Sequence, residues 1–150
     1  MPQSLSHILV HLIFSTKHRA PVLTKQIQDE LHPYLARVLD NIECASLRVG
    51  GLEDHIHALF GLSRTISVAS VAEKLKTSSS KWMKSKGFVL DDFHWQNGYG
   101  AFSVGPTNAN AMVRYIENQS EHHRHRTFQE EYRAFLEKYH IQYDERYVWD

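Results

Sequence analysis

Two histidines, His55 and His57, stand one residue apart in the run Asp54-His55-Ile56-His57-Ala58-Leu59-Phe60-Gly61-Leu62. The run alternates as a β-strand does, so Ile56, Ala58, Phe60 and Leu62 form an apolar face and both imidazoles project from the other. Same-face neighbours on a strand lie roughly 6–7 Å apart, a spacing from which two ring nitrogens can converge on one metal ion. Two ligands leave most of a coordination sphere open. Among the seven tyrosines, only Tyr115 has a metal-capable side chain, Gln119, four residues on within a plausible helix, which puts the pair on one helical face. A helix laying that face over the histidines would bring an amide oxygen to the ion and a phenol beside it, a nucleophile next to a Lewis acid. His122 and His123, three and four residues past Gln119, could compete for the ion.

Further motifs stand in a fixed order around these residues: Trp95-Gln96-Asn97-Gly98-Tyr99-Gly100-Ala101-Phe102-Ser103-Val104, Tyr115-Ile116-Glu117-Asn118-Gln119 with His122-His123 behind it, Phe128-x-x-Glu131, and the tail Tyr143-Asp144-Glu145-Arg146-Tyr147-Val148-Trp149. Together with the histidine strand they make essentially the whole chain resemble the HUH-type single-tyrosine transposases (TnpA-like) of the smallest bacterial insertion sequences. The resemblance implies Tyr115 as nucleophile, and His55, His57 and Gln119 as ligands of a divalent metal, Mg²⁺ or Mn²⁺. It implies a transposase that cleaves and rejoins single-stranded DNA through a 5′-phosphotyrosine, recognising hairpins at the element ends. It also implies a homodimer in which the tyrosine helix of one subunit docks on the histidines of its partner; the residues alone leave cis and trans docking open.

The elements that must position these groups can be read in order. His7 to Ser15 alternates as a first strand, with Ile8, Val10, Leu12 and Phe14 on one face and His7, Leu9, His11 and Ile13 on the other. Thr24 reads as an N-cap for a helix striped by Ile27, Leu31, Leu35, Val38 and Leu39. Ile42 to Val49 reads as a second strand, Gly50-Gly51 as a turn, and the histidine strand as the third. Ser67 to Lys84 predicts a second helix burying Val68, Val71, Leu75 and Trp82, with Lys74, Ser78, Lys81 and Lys84, and nearby Ser79 and Ser80, available to track a phosphate backbone. A fourth strand near Tyr99 to Val104, a helix start at Pro106-Thr107-Asn108, the tyrosine helix and a last helix from Phe128 to Tyr139 complete the chain. His122 to Arg126 reads as a basic helix end near phosphates, and Tyr143 and Tyr147 as packing residues.

The pattern β-α-β-β-α-β predicts an α+β, ferredoxin-like (RRM-like) antiparallel sheet with helices on one face, plus an additional C-terminal helix carrying Tyr115. Strands one and three become central neighbours, and the histidines look onto the opposite face, with His7 and His11 alongside. The 150 residues, 42% hydrophobic and 23% charged, fit a single domain spanning 1–150. Seventeen basic and seventeen acidic residues cancel, so DNA affinity must come from a local patch. One cysteine, Cys44, allows no internal disulfide, and Met1-Pro2-Gln3-Ser4 lacks signal-peptide character, so a cytoplasmic location is expected. A replication initiator or relaxase of the same chemistry, and a non-catalytic single-stranded nucleic-acid-binding module using the open sheet face, are the competing readings.

Overall fold

The computed structural model describes residues 2–150; Met1 lies outside them. Strands β1 (Leu9–Ser15), β2 (Ser46–Gly51), β3 (His55–Gly61) and β4 (Gly100–Val104) form one antiparallel sheet in the order β2-β3-β1-β4, with β1 and β3 central. Helices α1 (Lys25–Asn41) and α2 (Val68–Ser85) cover one face. Their apolar stripes meet Val10, Leu12 and Phe14 of β1 and Ile56, Ala58 and Phe60 of β3, the alternate residues that the pleat sends to that side. Thr24 caps α1 by accepting from the Ile27 amide, and Ser67 caps α2 by accepting from that of Ser70. No helix among the described residues is long and apolar enough to cross a membrane.

The opposite face is also covered. Helices α3 (Ala109–Glu117), α4 (Gln119–His122) and α5 (Phe128–Lys138) lie over it. Ile13 and Phe102 pack there against Phe128, Tyr132, Phe135 and Leu136, while Leu9, Leu59 and Val104 pack against Ile116. Bases therefore find no open sheet to stack on.

Several expectations need correction. The second strand starts at Ser46, not Ile42: Ile42 closes α1 through the Val38 and Leu39 carbonyls, and Glu43 turns the chain at φ 62°. Gly50-Gly51 belongs to β2, and the turn is Leu52 to Asp54. What Gly50 provides is closeness, since a Cβ there would stand 2.8 Å from Ile116 Cγ2 of the helix crossing it. In α2, Met83 enters the core while Trp82 stays at its margin, stacked on Tyr34. Ser79 is fully buried, donating to the Leu75 carbonyl and accepting from the Trp95 indole, so it faces no phosphate. Tyr147 is 63% exposed and is not a packing residue.

One cation bonds to three carbonyls of the segment joining α2 to β4. Lys76 Nζ donates to the carbonyls of Gln96, Asn97 and Gly98 at 2.9, 3.2 and 2.6 Å. Burial pushes its pKa down to about 8. Lys76→Met keeps the stem but orphans three carbonyls, and should lower unfolding free energy by about 1–3 kcal/mol. Urea denaturation checks this; a midpoint unchanged from wild type would assign the loop's order to other contacts.

Candidate active site

His55 and His57 leave β3 on the face that α3 to α5 cover, and both are fully buried. Their far sides are held from behind. His55 Nδ1 lies 2.7 Å from Asp54 Oδ1, and His57 Nδ1 lies 2.8 Å from Nε2 of His11. His11 comes from the neighbouring strand, and its ring stacks on that of His57. These partners orient both Nε2 atoms inward, the arrangement that buried ligand histidines use. Of the two histidines expected alongside, His11 joins the cluster, whereas His7 is exposed and does not.

Facing them is a residue that the expected ligand set left out. Glu131, on α5, is fully buried. Its Oε1 lies 3.1 Å from His57 Nε2 and 3.1 Å from His123 Nε2, and 3.8 Å from His55 Nε2. Its Oε2 accepts from Gln119 Nε2 at 3.1 Å and from the Tyr115 hydroxyl. Gln119 in turn aims Oε1 at His55 Nε2, 2.8 Å away. All four expected site residues, His55, His57, Tyr115 and Gln119, are thus brought together, and Glu131 stands at their centre.

Tyr115 and Gln119 do not share one continuous helix. The chain breaks at Asn118 (φ −99°, ψ 28°), whose amide closes α3 on the Arg114 and Tyr115 carbonyls, and Gln119 opens α4. The break lets both side chains reach the same carboxylate. Around them, His122 stacks on the Tyr115 ring with centroids 4.3 Å apart, and the Arg126 guanidinium lies 3.4 Å from the phenol oxygen. The lysines of α2 are on the far side of the sheet, away from this cluster.

The electrostatics follow from burial and sharing. Burial by itself would raise Glu131, but hydrogen bonds from His123 and His57 hold it well below the ordinary carboxylate range. Burial, followed by the charge of Glu131 and the hydrogen bond to it, raises the Tyr115 phenol above its usual value, with Arg126 opposing. Burial lowers both His11 and His57.

The donor chemistry fits a divalent cation. One nitrogen or oxygen from each of His55, His57 and Glu131 lies within 4.8 Å of the others. With His55 Nδ1–H given to Asp54, its Nε2 turns a lone pair toward Gln119 Oε1, which is also a lone-pair donor. Two acceptors 2.8 Å apart require a proton or a cation between them. Two imidazoles, a carboxylate and an amide oxygen form a mixed nitrogen–oxygen set of the kind divalent metals accept.

A buried histidine cluster, a carboxylate and a tyrosine meet over a ferredoxin-like sheet, and comparison with known proteins gives the chain's lineage. The family model described as IS200-like transposase matches residues 4–119. The chain belongs to the IS200-like transposase family. Its match includes both histidines, Tyr115 and Gln119, and ends before His123 and Glu131. Among solved structures, the chain resembles one provisionally described as a transposase from Deinococcus radiodurans R1, at 22% identity and TM-score 0.61, covering 79% of this chain and 98% of that one. It also resembles a REP-associated tyrosine transposase bound to a REP hairpin, at 17% identity and TM-score 0.57, covering 82% of this chain and 74% of that one. At such identities the likeness is one of fold. No curated protein matches.

Glu131 could have been noticed in the sequence as a carboxylate set into an apolar stripe, one turn from both Phe128 and Phe135. His11 was legible from the alternation of β1, and His123 from its place four residues beyond Gln119.

The buried histidines make a pH prediction. The unfolded chain takes up protons at His11 and His57 as pH falls through about 6.5, while the folded chain, whose values are lowered, does not. Stability is therefore lost as pH falls below that value. Glu131, lowered in the fold, adds a second loss only below about 4.3, the ordinary carboxylate value. In EDTA the melting temperature should decline between about pH 7 and pH 5, and decline less in His11→Phe. A wild-type profile flat across that interval would contradict the assignment of buried neutral imidazoles.

Proposed function

We propose that this transposase cleaves and rejoins single-stranded DNA at the ends of an insertion sequence through a 5′-phosphotyrosine intermediate. The observation that carries the reading is the convergence of the Tyr115 hydroxyl with His55, His57, Gln119 and Glu131 in one buried cluster. Tyr115 is the nucleophile. Its oxygen attacks phosphorus, its proton passes to Glu131 Oε2, and the bond to the 3′ oxygen breaks, that oxygen taking a proton from solvent water, whose hydroxide is neutralised by the bulk buffer. The Arg126 guanidinium, beside the phenol oxygen, offsets the negative charge that gathers on the phosphoryl oxygens.

His55, His57 and Glu131, with Gln119 beside them, would hold a divalent ion, Mg²⁺ or Mn²⁺, which would polarise the phosphodiester when bound. Asp54 and His11 keep the two ligand histidines aimed. In the reverse direction a free 3′-hydroxyl loses its proton to solvent water as it attacks the phosphotyrosine, the bond from phosphorus to the Tyr115 oxygen breaks, and Glu131 returns its proton to that oxygen. The covalent link conserves the energy of the phosphodiester, so strands rejoin without a nucleotide cofactor.

DNA hairpins are the proposed recognition elements, supported by the REP hairpin held by the structurally similar tyrosine transposase. A homodimer would supply one nucleophile for each of two cleavages. The same contacts can form within one chain or, by exchange of α3 to α5 between subunits, in trans. The sheet face covered by α3 to α5 favours this enzyme reading over a binding module that stacks bases on an open sheet.

Labelled single-stranded DNA from the ends of the element encoding the protein should form a covalent adduct on a denaturing gel with Mn²⁺ or Mg²⁺ and none in EDTA. Tyr115→Phe should abolish the adduct. An adduct that survives in Tyr115→Phe would relocate the nucleophile, and DNA binding without adduct under any metal would remove the strand-transfer reading. Glu131→Gln should slow adduct formation by about 10²–10⁴-fold, the range for a positioned acid–base group; a rate within threefold of wild type would strip Glu131 of the proton-accepting role.

A further inference from the structure

Beside Tyr115, a cleft of about 460 Å³ that no histidine lines among the described residues opens between the end of β4, α3 and α5. Its volume lies in the range of small-ligand sites, about 300–1,000 Å³. The aromatic wall is fixed in advance. Tyr139 donates to the Ser103 carbonyl at 2.7 Å, and Phe135 is stacked on Phe102, with ring centroids 5.3 Å apart. Met112 lines the facing side, a deformable apolar surface. Arg126 and Lys138 also line the cleft, and no carboxylate does among the described residues. Asn108 contributes an amide that does not cap α3.

A flat apolar surface, cations and a hydrogen-bonding amide next to a nucleophile match one nucleotide of single-stranded DNA. Bases stack on aromatics in this way while cations follow the backbone. We infer that this cleft holds the nucleotide whose 5′ phosphate becomes joined to Tyr115, its base against Phe135 and Tyr139 and its phosphates near Arg126 and Lys138. The choice between the two flanking nucleotides follows from in-line displacement. The departing 3′ oxygen lies across phosphorus from the tyrosyl oxygen, so the leaving strand points away from Tyr115. The retained nucleotide stays attached beside it, where the cleft is. The inference rests on the phosphotyrosine reading and adds to it a binding site for the strand end that the enzyme must keep until rejoining.

The test is fluorescence anisotropy, in EDTA, with short single-stranded DNA carrying a 5′ phosphate and a 3′ dye, its first nucleotide either intact or abasic. Wild-type protein should bind the intact oligonucleotide at least about fivefold more tightly than the abasic one, while an abasic third nucleotide should change affinity less than twofold. Ala134→Trp and Ala111→Trp, which fill the cleft from opposite walls, should each weaken the intact oligonucleotide to the abasic level and erase the difference between them. Melting curves without DNA establish that each variant folds. Equal affinities for intact and abasic first nucleotides in the wild type would overturn the inference, as would a difference that persists in both folded tryptophan variants. No cleavage enters this measurement, so absence of a covalent adduct in the gel assay falls on the phosphotyrosine reading, and equal affinities here fall on the cleft.

Discussion

A carboxylate buried without water must be surrounded by donors or be neutralised, because a bare anion in an apolar interior is costly. Glu131 meets that condition through four side chains from separate parts of the chain: His57 on β3, Tyr115 on α3, Gln119 on α4 and His123 just beyond it. Removing any one leaves an oxygen less well satisfied at a site with no solvent to replace it. The position of three helices over the sheet is thereby tied to a single side chain. The apolar contacts of Phe128, Phe135 and Ile116 supply area there, but area is not directional. The carboxylate sets the register in which those helices dock.

Local chemistry upstream makes that register attainable. Thr127 starts α5 with a reciprocal capping box, its hydroxyl accepting from the Glu130 amide and the Glu130 carboxylate accepting from the Thr127 amide. Capping fixes the first turn and so places Glu131 at a defined height over the sheet. On the other wall, Gly50 removes the one side chain that would hold Ile116, and with it Tyr115, away from β2. Arg133 pairs with Glu145 and lies over the Trp149 ring, which ties the tail across α5. These contacts are exposed and individually weak; their contribution is to limit where α5 can slide.

Much of this was legible before the structure. Alternation in β1 and β3 placed His55, His57 and His11 on one face, and helical spacing placed Leu31, Leu35, Val71 and Leu75 in the core. Both are consequences of periodicity, which the chain states directly. Gly50-Gly51 was misread because glycine marks turns and close approaches alike, and only the partner helix distinguishes them. Tyr115 and Gln119 were correctly paired through the wrong local geometry, since nothing in Glu117-Asn118 announces a helix break. Glu131 escaped the ligand set for a different reason. Its apolar stripe signals burial, but its neighbours in space come from segments at separations from eight to seventy-four residues, and no local pattern names them.

The opposed perturbations of Tyr115 and Glu131 bear on when the proposed nucleophile can act. A hydrogen bond between a raised phenol and a lowered carboxylate keeps the proton on oxygen of the tyrosine, so the resting phenol is neutral. Transfer becomes favourable only when something else changes the potential at the two oxygens. In the proposed reaction a phosphodiester at Arg126 lets the tyrosyl oxygen exchange its proton for a bond to phosphorus, so the phenolate never has to exist free. The same mismatch acts on the way back, because the leaving tyrosyl oxygen recovers its proton from Glu131. The free phenolate is thus disfavoured at this site, and in the proposed reaction that restrains the tyrosine from cutting until a strand is in place.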